Sequence, residues 1–229
     1  SNNTAVGTNA GLSVTTAVNI VAVGTNSCDA VTTGVSNTGI GTGALSTITT
    51  HYDNVAVGTS AMASATASQC VAVGHGSLAN TSANDNTGCG HRTLNVNTAG
   101  TKNVAVGANA LDANTTASSN TAVGYASLGL NTTGANNIAV GDRALDANTT
   151  GSQNVGIGKD ALGVNTTADN NTAIGFGVLH SNTTGTENTA VGANALDANT
   201  TANENTAVGY SALTANTTGA ANTAIGRKS

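Results

Sequence analysis

Hydrophobic and polar positions in this chain recur with a fixed short period. A β-branched residue, once replaced by Cys, stands directly before Gly7, Gly24, Gly41, Gly58, Gly74, Gly90, Gly107, Gly124, Gly141, Gly158, Gly175, Gly192, Gly209 and Gly226. The step is 17 residues, except for 16 from Gly58 to Gly74 and from Gly74 to Gly90. Fourteen units this short predict a solenoid in which each coil is buried only by its neighbours.

With the marker glycine as slot 5, later units read Asn-Thr-Ala-Val-Gly-x-x-Ala-Leu-x-x-Asn-Thr-Thr-Gly-x-x. Slots 1 to 5 predict a short strand whose alternate residues face opposite sides. Slots 2 and 4 are β-branched apart from Cys89, and slots 3 and 5 are only Ala or Gly. The β-branched face, joined by Leu at slot 9, is expected to fill the coil. The bare Ala/Gly face is expected to admit another backbone, either the opposite wall of the coil or a second chain. Gly-x-x-Ala-Leu predicts a turn, and Asn-Thr-Thr-Gly a β-arc or short closing strand.

Asn fills slot 1 in 12 of 14 units, Ile20 and Cys70 being the exceptions. Stacked amides predict a hydrogen-bonded ladder. Slot 12 changes from Val14, Val31 and Ile48 through Ala65 and Thr81 to Asn from Asn97 onward. The expected fold is therefore all-β: a β-solenoid (β-roll or β-helix) of 14 coils, parallel and in register. Residues 1–229 form one continuous solenoid, with more apolar coils over 1–53, transition coils over 54–85 and regular Asn-Thr-Thr coils over 86–229. Direct stacking places Asp142 on Lys159 and Arg143 on Asp160, both attractive pairs.

Composition narrows the chemistry. There is no Trp or Pro, one Phe, three Tyr and only 7% charged residues. Absent proline suits a backbone whose N–H groups pair between coils. A net charge of −5 with no basic run excludes a nucleic-acid footprint. No apolar stretch approaches the ~20 residues of a membrane span. Cys28, Cys70 and Cys89 occupy three different slots and read as small buried side chains, not a disulfide framework.

Acidic residues are scattered singly, so no catalytic constellation and no cofactor site is expected. His75 and His91 share slot 6 in successive coils, and Glu187 and Glu204 share slot 17. These four are the only metal-ligand candidates, weighed against plain surface residues. Slot 6 is the variable column and holds Tyr125, Phe176 and Tyr210, three of the four aromatics. They are the candidate binding residues, platforms for a glycan or receptor, set against an ordinary exposed stripe. Asn-Thr-Thr is formally a glycosylation acceptor, but the repeat produces it without any glycan.

The units Asn54-Val-Ala-Val-Gly58 and Asn171-Thr-Ala-Ile-Gly175 resemble the repeats of trimeric autotransporter adhesin heads. The longer Asn-Thr-Ala-Val-Gly-Tyr-x-Ala-Leu-x-x-Asn-Thr-Thr-Gly pattern, with Tyr125 and Tyr210 at the Tyr, is similar to repeats of bacteriophage tail-fibre-like and microbial surface proteins. The resemblance implies a left-handed β-roll with three chains side by side. Units in that family are shorter, near 14 residues, so a wider coil is expected here.

The expected function is a structural shaft of an extracellular fibre or filament on a cell surface or virion, serving reach and attachment. Its expected partners are copies of itself, as a trimer or an end-to-end filament, and a surface glycan or receptor. Fourteen coils at about 4.8 Å span roughly 65 Å. Two alternatives stand beside this. One is an ice-binding solenoid, for which Thr8, Thr25, Thr42 and Thr59 form a short column. The other is a glycan-binding or glycan-processing tail protein, which requires carboxylates or His clustered on one face.

Overall fold

The computed structural model describes residues 2–229. The fold is all-β, without a helix among the described residues, and is a β-solenoid of 14 parallel strands with a repeat of about 17 residues. Two compact units divide the chain at Thr116/Ala117. The first carries β1 (Thr4–Val6), β2 (Val21–Val23), β3 (Thr38–Ile40), β4 (Val55–Val57), β5 (Val71–Val73), β6 (Thr87–Cys89) and β7 (Val104–Val106). The second carries β8 (Thr121–Val123), β9 (Ile138–Val140), β10 (Val155–Ile157), β11 (Thr172–Ile174), β12 (Thr189–Val191), β13 (Thr206–Val208) and β14 (Thr223–Ile225).

Within each unit successive strands pair in parallel and slot for slot, as in Thr172↔Thr189 and Ile174↔Val191. The 16-residue steps keep this register, with Val55↔Val71 and Val71↔Thr87. Their missing residue is lost opposite the strand: buried Ala67 and Ala83 directly follow slot 13, where other coils insert an exposed Thr such as Thr133.

The strand faces are the reverse of the expectation. Slot 3 points inward: Ala22, Ala56, Ala105, Ala122, Ala139 and Ala190 are fully buried. Slots 2 and 4 point outward and stay half-buried or exposed, as Val104 and Val106 do at 38% and 37%. Slot 9 is inward as expected, from Leu45 and Met62 to Leu196. The reason is volume. A Cβ on Gly156, at slot 3, would already lie 3.2 Å from Leu145 Cγ, the slot-9 residue of the preceding coil. The slot-9 Leu, the inward Asn side chains and mostly small residues at slots 3 and 8 fill the coil, and a β-branched side chain at slot 3 has no space.

The turn after the strand is as expected and depends on left-handed backbone. Slot-9 Leu162 has φ 52°, which costs roughly 1–2 kcal/mol for a non-glycine residue. Full burial of its side chain returns about 1.5–3 kcal/mol. Its N–H donates to Val178 of the next coil at 3.0 Å, and its carbonyl accepts from Asn165 at 3.1 Å. The marker position admits only glycine: Gly175 has φ +138°, and a Cβ there would lie 2.8 Å from the carbonyl carbon of Gly192.

The second half of the coil closes as bends, without a second strand among the described residues. There the N–H groups of Thr183 and Thr184 both donate to the carbonyl of Thr200 in the next coil, at 2.9 and 3.2 Å. The expected amide ladders form at slots 1 and 12, and both run inside the coil. Asn188 donates its backbone N–H and its Nδ2 to Oδ1 of Asn171, at 3.0 and 3.1 Å. At slot 12, Nδ2 of Asn182 donates to Oδ1 of Asn165 at 3.1 Å. Where Asn is absent from slot 12, buried Val31 and Ile48 fill the same space. The Asn ladder starts at Thr81, whose hydroxyl accepts from Asn97 at 3.3 Å.

Candidate functional site

Three outward features remain once the core is assigned. The first is the slot-6 column. Tyr125, Phe176 and Tyr210 lie on it exposed, at 56%, 56% and 48%. Asp142 and Lys159 occupy the two coils between Tyr125 and Phe176, so the rings share a column without touching. Arg227 sits 5.6 Å over the Tyr210 ring, a cation–π contact.

In the first unit the same column carries His75 and His91. Their rings stack with centroids 5.4 Å apart and planes 10° apart, the predicted one-coil spacing. Glu187 and Glu204 are both exposed, at left-handed positions with φ 60°. No group of three or more His, Cys, Asp or Glu positioned to hold a metal occurs among the described residues.

Most of the formal glycosylation acceptors are closed off. Asn114, Asn131, Asn148, Asn165, Asn182 and Asn199 are fully buried. Their Nδ2 atoms, the atoms a glycan would occupy, donate inside the coil, to the ladder Asn of the coil before or, for Asn131, to the Gly134 carbonyl. The cysteines divide. Cys28 and Cys70 are buried free thiols, and burial pushes both upward, Cys28 to about 11. Cys89, expected to be buried, is exposed because its slot faces outward.

The second feature is the strand face itself. In each unit, slots 2 and 4 present two parallel columns of Val, Ile and Thr to solvent. Val55, Val71, Val104 and Val106 belong to the first unit. Ile138, Ile157, Ile174 and Val208 belong to the second. A contiguous apolar surface on a rigid sheet is a feature that ordinary monomer surfaces avoid.

The third is a depression of about 300 Å³ lined by Arg143, Asp146, Ala147, Asp160, Gly163, Val164 and His180. Arg143 is paired with Asp160 through Nε and Nη2, both 3.0 Å from Oδ1, as the stacking argument predicted. Asp142 and Lys159, stacked in the same two coils, make no ion pair. Burial raises the Asp146 carboxyl above its usual range. The Arg143 charge opposes this, and Asp160 and Asp142 add to it. This cluster was not legible as such in the sequence, because its members occupy slots 7, 10 and 11 and come from three different coils. The legible signal was slot 10 itself, where Gly163 stands between Asp146 and His180.

Comparison of the chain with protein-family models, with curated proteins and with solved structures finds no match.

Proposed function

We propose that this chain is a shaft segment of an extracellular fibre, on a cell surface or virion, whose copies pack side by side through the strand face. The observation that carries the reading is the solvated β-branched face. Slot 4 is Val or Ile in 13 of 14 coils although it contributes nothing to the coil interior. Away from the chain ends these slot-4 side chains are 39% exposed or less, so covering each contributes on the order of 1 kcal/mol, and a long seam sums these contributions. Three chains around a common axis is the arrangement the adhesin-like repeats imply. The slot-6 column lies one residue beyond the marker glycine, at the corner next to this face, and serves attachment.

Cys89 provides the test. It is the one exposed thiol among the described residues and sits in the slot-4 column. Under this reading a short bis-maleimide joins chains through Cys89, and a Cys89→Ser variant is not joined. Efficient single-site labelling without linkage, at any protein concentration, counts against a seam at this face.

One observation favours a second reading, ice binding. Slot 2 is Thr in four successive coils, at Thr172, Thr189, Thr206 and Thr223, beside Ile174, Val191, Val208 and Ile225. Hydroxyl and methyl columns on a rigid sheet suit ordered water. Thermal hysteresis from a chain that stays monomeric would replace the seam reading with this one.

A further inference from the structure

Resting on the attachment reading above, we propose that the depression around Gly163 is a binding subsite for one ring of a neutral, extended glycan of β-1,4-linked pyranoses lying along the solenoid axis. The depression is built by a missing side chain. Gly163 does not have the left-handed φ of the marker glycines, so its backbone does not demand glycine. A Cβ there would meet the Asp160 carbonyl at 3.2 Å and the His180 ring at 3.4 Å. The His180 ring of the coil after leans over the glycine, as Asp146 Oδ1 leans over Gly129 one coil earlier, and His180 and Asp146 both line the depression.

The lining has the mixed chemistry that a sugar ring needs. Asp146 and Asp160 offer carboxyl oxygens to hydroxyl groups, and His180 offers a ring nitrogen. Ala147 and Val164 give an apolar patch for the C–H face of the ring. A phosphate or sulfate is disfavoured, because Arg143 is already committed to Asp160 and Asp146 adds negative charge. A metal ion is disfavoured because the acids and His180 are spread over three coils.

The position along the fibre supports an extended ligand. Asp142, Arg143, Asp146, Lys159 and Asp160 are five of only 17 charged residues in the chain, gathered within two coils. Tyr125 and Phe176 bracket these coils in the neighbouring slot-6 column, both exposed. A β-1,4-linked pyranose chain advances by close to one coil spacing per ring. One laid along the axis meets equivalent positions coil after coil and reaches ring-stacking surfaces beyond the subsite.

The test is calorimetric titration of the whole chain with cellohexaose and chitohexaose, using maltohexaose as the helically coiled control. Wild-type protein is expected to bind one or both β-1,4 probes and not maltohexaose. Gly163→Leu, which displaces the His180 ring and crowds the depression, is expected to weaken binding at least tenfold while the chain keeps its folded β-sheet spectrum. Asp146→Asn is expected to weaken it several-fold. Equal affinity of wild type and Gly163→Leu overturns the subsite, as does absence of binding to both β-1,4 probes. A Tyr125/Phe176/Tyr210→Ser variant keeps the two readings apart. If it loses attachment to cells while Gly163→Leu binds glycan normally, the attachment reading stands and the subsite falls.

Discussion

Asn171 and Asn182 lie eleven positions apart on one coil, yet both donate Nδ2 to the same carbonyl, that of Gly185, at 2.8 and 2.9 Å. The pattern recurs at Gly151, which accepts from Asn137 and Asn148, and at Gly100, which accepts from Asn86 and Asn97. Coils with Asn at both slots are thus cross-braced through one oxygen, while the same amides link them to the adjacent coil. Buried polar groups of this kind are costly when unpaired, so the bracing acts as a unit.

Replacing Asn182 with Ala removes donors to Asn165 and Gly185 and the acceptor for Asn199. Each buried group left unpaired costs about 1–3 kcal/mol. The expected loss is at least about 2 kcal/mol in urea denaturation. Asn182→Asp keeps the size but cannot donate, and is expected to be no better than Ala.

Inward and outward apolar residues should separate cleanly in stability. Leu162→Ala empties a fully buried site and is expected to cost about 2–5 kcal/mol. Val140→Ala removes a side chain from the solvated strand face and is expected to cost under about 1 kcal/mol in dilute, dissociated protein. Equal losses in thermal melts would mean that the strand faces are wrongly assigned.

The period, the strand positions, the register and the inward Leu column were legible in the sequence, because a 17-residue step and a β-branched-Gly marker leave few other arrangements. The polarity of the strand was not. The usual rule sends Val123 inward and leaves Ala122 outside, and the structure does the opposite. The rule fails because Leu128 and the buried amides of Asn120 and Asn131 already fill the interior beside slot 3. Strict smallness at slot 3 was the overlooked sign of crowding. The slot-6 aromatics were legible as outward because that column varies freely. The Gly163 depression was not, because it forms only when slots 7, 10 and 11 of consecutive coils are laid together.

Asp146 gives the subsite a pH signature. Its carboxyl is raised in the folded chain, chiefly by burial, so the folded state holds its proton more tightly than the unfolded one. The associated stability is fully present below the unfolded value, near pH 4, and is lost as pH rises through the folded value. Asp146→Asn removes this dependence. Its melting temperature is expected to exceed that of wild type at pH 7 and to converge with it below about pH 4. A lower melting temperature for the variant at pH 7 would show that the attraction to Arg143 dominates instead.

Thiol reactivity follows from burial. Iodoacetamide on the folded chain is expected to modify Cys89 alone, because Cys28 and Cys70 are buried and their thiols are shifted upward. All three should react in denaturant.

Sedimentation equilibrium of the intact chain tests the seam most directly, run beside a variant carrying Val140→Glu and Val191→Glu. A mass three times the 22.0 kDa chain is expected for the wild type. A folded 22.0 kDa monomer is expected for the variant, because two buried carboxylates per chain oppose packing of the strand faces. A wild-type chain that stays at 22.0 kDa with its β-sheet spectrum intact would contradict the seam.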